Sequence, residues 1–86
     1  MSGGTQGHVT NVYVIETEDN QYVKGDPFWP ELTERIDSAA RQATMSDAKK
    51  YIKTAEKRLK PKQKLHATAC EAVYDSSFNL KEIKKV

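Results

Sequence analysis

The stretch from Thr10 to Lys24, TNVYVIETEDNQYVK, restricts the fold more than any other part of the chain. Read as an extended segment, it places Val12, Val14 and Glu16 on one side and Tyr13, Ile15 and Thr17 on the other. Its β-branched and aromatic residues suit a pleated, packed surface. Glu18-Asp19-Asn20-Gln21 then supplies turn residues, since Asn and Asp accept the left-handed backbone of tight hairpins. Tyr22 and Val23 resume the strand, and Gly25-Asp26-Pro27 ends it. The pattern predicts a β-hairpin over 10–24.

Beyond the hairpin the chain is less regular. Phe28-Trp29-Pro30 sets two large aromatics between prolines. Pro30 suits the first turn of a helix, where its missing N–H needs no partner. Glu31 and Glu34 would favour the positive helix start. Leu32, Ile36, Ala39, Ala40 and Ala43 recur at helical spacing. The stretch 31–42 therefore reads as a helix, with a short turn and an irregular link as the alternative.

A second helix is predicted over roughly 46–59. Thr44 stands as its cap with Asp47 three residues on. Ala48, Tyr51, Ile52, Ala55 and Leu59 form one apolar stripe, and Pro61 stops it. LHATACEAVY, residues 65–74, reads as a strand, with Leu65, Ala67, Ala69, Glu71 and Val73 on one face and His66, Thr68, Cys70, Ala72 and Tyr74 on the other. In the tail, Asn79 is placed to cap a last short turn bearing Leu80 and Ile83. The expected fold is α+β: a small antiparallel sheet, made of the hairpin and strand 65–74, packed against one or two helices. MSGGTQG and the two residues after it read as a flexible leader (1–9), and 10–86 as a single domain.

Hairpin, tryptophan-bearing link, SDAKKYIK helix and final strand together resemble short proteins of phages and mobile elements in Gram-positive bacteria. Trp29, Leu32, Ala40, Ser46, Ala48 and Ile52 would be the matching positions, over about residues 11–75. The resemblance implies an α+β accessory or inhibitor protein and carries no catalytic residues.

Several classes of function are disfavoured. No apolar run approaches the roughly 18–20 residues of a membrane-spanning helix, and residues 1–11 lack a secretory signal. The single cysteine, Cys70, cannot form an internal disulfide and fits a reducing, cytoplasmic compartment. His66 lies four residues before Cys70, about 13 Å away along a strand, so the two do not make an activated thiolate. With His8 in the leader, they do not make a zinc site either. Glu16, Glu18 and Asp19 cluster at the hairpin tip without a calcium loop's spacing and read as solvated turn acids. No Gly-rich phosphate loop follows a strand. Neither an enzyme nor a cofactor is expected.

Charge is the remaining signal. Residues 1–47 hold eight acids and three bases, a net −5; residues 48–86 hold four acids and eleven bases, a net +7. KKYIKTAEKRLKPKQK, residues 49–64, sets eight bases against one acid. On a helix, Lys49, Lys50, Lys53, Lys57 and Lys60 avoid the apolar stripe, with Arg58 near its edge. The plainer reading is a solvated face; the functional ones are an acidic protein partner or nucleic acid, the latter salt-sensitive and indifferent to sequence. This face is nearly all lysine and shows no aromatic for stacking bases. Phe28 and Trp29 read first as a lid over the core and, if exposed, as an anchor for a protein partner. The expected function is non-catalytic binding of a protein through Phe28, Trp29, Lys49, Lys50, Lys53, Lys57, Arg58 and Lys60, with nucleic-acid binding by the Lys-rich helix 46–60 as the alternative.

Overall fold

The computed structural model describes residues 7–60 and 62–86. Its centre is a pair of ten-residue antiparallel strands, β1 (His8–Thr17) and β5 (Leu65–Tyr74). They run in unbroken register from His8 opposite Tyr74 to Thr17 opposite Leu65. Around them the sheet is ordered β3-β2-β1-β5-β6, with β2 at Tyr22–Lys24, β3 at Glu31–Thr33 and β6 at Leu80–Lys85. A two-residue β4 (Arg41–Gln42) pairs with β1 at Tyr13 and Val14, beyond the end of β2. One helix, α1 (Met45–Arg58), lies against the sheet. The α+β class stands, but the molecule is dominated by its sheet rather than by a hairpin and helices.

The expected hairpin is present. Thr17 Oγ1 accepts from the N–H groups of Asp19 and Gln21, both at 3.2 Å. Asn20 takes the left-handed backbone, φ 64°, as turn asparagines do. The helix α1 also follows its pattern. Thr44 caps it, its Oγ1 accepting from Asp47 N–H at 3.0 Å, while Lys57 and Arg58 sit in the last turn, where the helix dipole favours cations. Ala48, Tyr51 and Ala55 are buried, and Ile52 is half-buried. The two alanines let the helix backbone lie close to the sheet. Pro61, expected to stop the helix, lies outside the described residues; the helix ends at Arg58, and Leu59 is extended.

Both faces of the sheet are apolar where β1 crosses its middle. Ile15, Val23 and Leu65 pack under α1 with Ala48, Tyr51, Ala55 and Leu59. On the other side Val12, Val14, Cys70, Ala72 and Ile83 form a second cluster, joined by Tyr22 and Ala39. Val14, Ile15 and Val23 are fully enclosed, each contributing about 1.5–3 kcal/mol through burial.

The stretch 31–42 is not a helix. It consists of β3, a single 3-10 turn at Ile36–Ser38 and β4. The reason is visible in where its apolar residues go. Leu32 and Ala40 pack with the helix-side cluster, whereas Ile36 and Ala39 pack with the opposite one. A helix would aim all four at one core; here the link crosses the sheet edge and serves both. Its backbone groups are taken up by β2, with Val23 opposite Leu32, and by Ala40 N–H donating to Val23 O at 3.0 Å.

Two further expectations change. Residues 79–83 do not form a capped turn but enter β6, with Ile83 opposite Ala72. The cap belongs to Asp75, whose Oδ1 accepts from Ser77 and Asn79 N–H at 2.8 and 2.9 Å. Of the expected leader, residues 1–6 lie outside the described residues, while His8 and Val9 open β1 opposite Tyr74 and Val73. No described helix is long and apolar enough to cross a membrane.

Candidate functional site

Gly25 leaves β2 with φ +85°, a backbone that side chains rarely tolerate. Asp26 and Pro27 follow, the favoured first and second residues of a β-turn. Trp29 N–H closes that turn on Asp26 O at 2.9 Å. Phe28 N–H donates to the Asp26 carboxylate at 2.8 Å. This doubly bonded turn holds its aromatics outward. Trp29 is 77% exposed and Phe28 52%, so they are not the core lid expected of them. The core beneath needs none, because Val23 is already fully buried in the cluster it shares with Tyr51 and Leu59.

The turn is tied to α1 at two points. The Tyr51 hydroxyl donates to Gly25 O at 2.7 Å. Burial, and then the Asp26 carboxylate, push that hydroxyl up to about 12, so it remains a donor at neutral pH. Roughly two turns further along the helix, the Arg58 guanidinium lies over the Phe28 ring, 5.5 Å from its centroid. Such cation–π contacts at exposed sites contribute about 0.5–1 kcal/mol. The aromatic turn is thereby fixed beside the basic end of α1.

Phe28, Trp29, Pro30, Lys57, Arg58 and Lys60 line an open groove of about 630 Å³. A second groove of about 450 Å³ is lined by Lys53, Glu56, Lys57, Lys62, Gln63 and Lys64. Lys57 lines both, so the two grooves adjoin. Their acid, Glu56, is engaged: the carboxylate accepts from Leu65 N–H at 2.9 Å. Of the eight residues the sequence suggests, six meet here. Lys49 and Lys50 are exposed but line neither groove; Lys50 instead borders a smaller hollow with Gly25, Pro27 and Tyr51. Lys62 and Lys64 were not expected as site residues, although both stand in the basic run. Nor was Tyr51 expected as the clasp, since its spacing places it in the core stripe. The absence of aromatics from the basic face is made good by another segment of the chain.

Away from this surface, Glu16 departs most from expectation. It is not a solvated turn acid but only 4% exposed. Lys85 Nζ and Thr68 Oγ1 each donate to it at 2.9 Å, and His66 Nε2 lies 3.7 Å away. Burial pushes its carboxyl up, but the hydrogen bonds from Lys85 and Thr68 outweigh that and hold it below its ordinary value. Lys85 is raised in turn, chiefly by the same bond. Its ammonium also sits 5.4 Å from the Tyr22 ring centroid. These contacts bridge β6 to β1 and β2 and close the sheet face that α1 leaves open. Glu18 and Asp19 are exposed, as expected of turn acids.

Cys70 is fully enclosed, and burial pushes its thiol up. Its Sγ lies 3.7 Å from Thr68 O, whereas the His66 imidazole faces Glu16. Among the described residues no three His, Cys, Asp or Glu side chains gather as a metal would require. In comparison with known proteins, the chain matches no family model, no curated protein and no solved structure.

Proposed function

We propose that this chain is a non-catalytic binding protein whose working surface is the Phe28–Trp29 turn together with the basic end of α1, and that its partner is a protein. The observation that carries this reading is Trp29: a tryptophan held out by a hydrogen-bonded turn, beside cations, has the character of an interface anchor. Aromatic and arginine side chains in contact, as Phe28 and Arg58 are, are both enriched at such interfaces. A cytoplasmic location, suited to a single reduced cysteine, belongs to the same reading. So does the role implied by the sequence resemblance, an accessory or inhibitor protein of a phage or mobile element.

A second reading, nucleic-acid binding, draws on one specific observation: Lys53, Lys57, Lys62 and Lys64 surround a single groove. Cations so placed could track a phosphate backbone, with Trp29 as a stacking platform.

A photo-crosslinking residue at position 28, next to an intact Trp29, distinguishes them. The expected product in a Gram-positive lysate is a protein adduct that survives nuclease and disappears when Trp29→Ala is added. An adduct destroyed by nuclease would replace this reading with the second one.

A further inference from the structure

Both grooves of this surface carry cations but only one carries aromatics, and that difference describes what would fit it. One groove is rimmed by four lysines; the other sets Trp29, Phe28 and Pro30 beside Lys57, Arg58 and Lys60. Arg58 lies over the Phe28 ring, which is 52% exposed, and Trp29, at 77%, is the more open of the two aromatics. The acids nearest Trp29 in the chain are engaged: Asp26 accepts from Phe28 N–H at 2.8 Å, and Glu31 lies 3.8 Å from Lys24. A ligand with acids at one end and an apolar side chain at the other would use both grooves.

Spacing adds to this. Lys53 and Lys57 stand one turn apart on α1, about 6 Å along its axis. Alternate residues of an extended peptide repeat every 6.6 Å or so. Carboxylates at alternate positions would thus meet successive lysines with little mismatch. Glu56, the acid between them, lines the same groove and has its carboxylate engaged by Leu65 N–H at 2.9 Å.

Resting on the protein-partner reading above, we infer that the partner presents an extended acidic segment: carboxylates at alternate positions over Lys53 and Lys57, in the groove that Lys62 and Lys64 complete, followed by one bulky apolar side chain against Trp29. The charged part sets the rate of encounter and the salt dependence, and the apolar anchor sets residence.

The chain has a single tryptophan, so its fluorescence reports on this surface alone. The probes are the synthetic peptide Glu-Ser-Glu-Ser-Glu-Gly-Phe, the same peptide with Ser for Phe, and a ten-nucleotide oligo-dT. The Phe peptide is expected to shift Trp29 emission to the blue. Its affinity should fall about tenfold with the Ser peptide, about tenfold with Lys57→Glu, and steeply between about 50 and 300 mM salt. A thermal melt confirms that Lys57→Glu, an exposed change, keeps its fold. Tighter binding of oligo-dT than of the Phe peptide, or equal binding of the Phe and Ser peptides, overturns the inference. If no peptide moves Trp29 while the position-28 crosslink still captures a protein, the inference alone fails. If both are silent, the underlying reading fails with it.

Discussion

From Val12 to Thr17, β1 is covered on both sides, and the two sides are covered by different means. Ile15 faces a regular helix whose apolar stripe repeats with the helical period and whose small residues, Ala48 and Ala55, allow close approach. Val12, Val14 and Glu16 face no helix. Their cover is assembled from one residue here and one there: Ile36 and Ala39 of the link, Ile83 of β6, and the lysine that closes on Glu16. One side is sealed by dispersion and burial, the other partly by a charged hydrogen bond. The two should therefore respond differently to truncation, to pH and to changes at the surface.

The largest effect is expected on the helix side. Ile15→Ala should lose about 3–4 kcal/mol in urea denaturation, because the side chain is fully enclosed and α1 cannot collapse into the space. A loss under about 1 kcal/mol would mean that α1 is not packed there. On the opposite side, Glu16→Ala leaves Thr68 and Lys85 without their acceptor. Lys85 is 44% exposed and can rehydrate, so the expected loss is smaller, about 2 kcal/mol.

The same substitution sharpens the contrast through pH. The folded Glu16 carboxyl lies below its ordinary value of 4.5. Its contribution is therefore whole above about pH 4.5 and is lost as pH falls through the lowered folded value. Chemical denaturation from pH 7 to pH 3 should show this loss in the wild type and a flatter profile in Glu16→Ala. Ile15→Ala should keep the wild-type slope. Parallel slopes in all three proteins would remove Glu16 as the origin.

Smaller still is Tyr51→Phe, which deletes the hydroxyl bonded to Gly25 O and should lower stability by about 1 kcal/mol. Its more telling readout is Trp29 anisotropy, which should fall as the aromatic turn loosens; unchanged anisotropy would deny the clasp. The smallest effect is at the surface itself. Trp29→Ala should change stability by less than about 0.5 kcal/mol, and a loss above about 1 kcal/mol would return Trp29 to the core.

The same division explains what could be read from the sequence. α1 was legible because one face meets one core, so Ala48, Tyr51 and Ala55 repeat with the helical period, and because Thr44 caps it in the usual way. The β1–β2 turn was legible because Asn20 and Thr17 act locally. The link 31–42 was misread because residues spaced like a helix serve two cores on opposite sides of a sheet edge. Glu16 was misread because its partners lie 52 and 69 residues away. Of the candidate surface, the basic half was visible as a local run. Its union with Phe28 and Trp29 depends on the Tyr51–Gly25 bond, 26 residues apart, and no short motif announces that.

The pairing of β1 with β5 also bears on how quickly the molecule can form. Leu65 must find Thr17, and Tyr74 must find His8, so the central ladder closes a loop of roughly 50 residues, at an entropic cost that grows with loop length. Folds built on such distant pairings mature in milliseconds to seconds rather than microseconds. Stopped-flow refolding is expected in that range, with Ile15→Ala slowing the folding limb if the ladder is part of the nucleus. Until β5 has been synthesised, β1 has no neighbour on that edge, and a newborn chain must keep a strand of three valines and an isoleucine waiting for its mate.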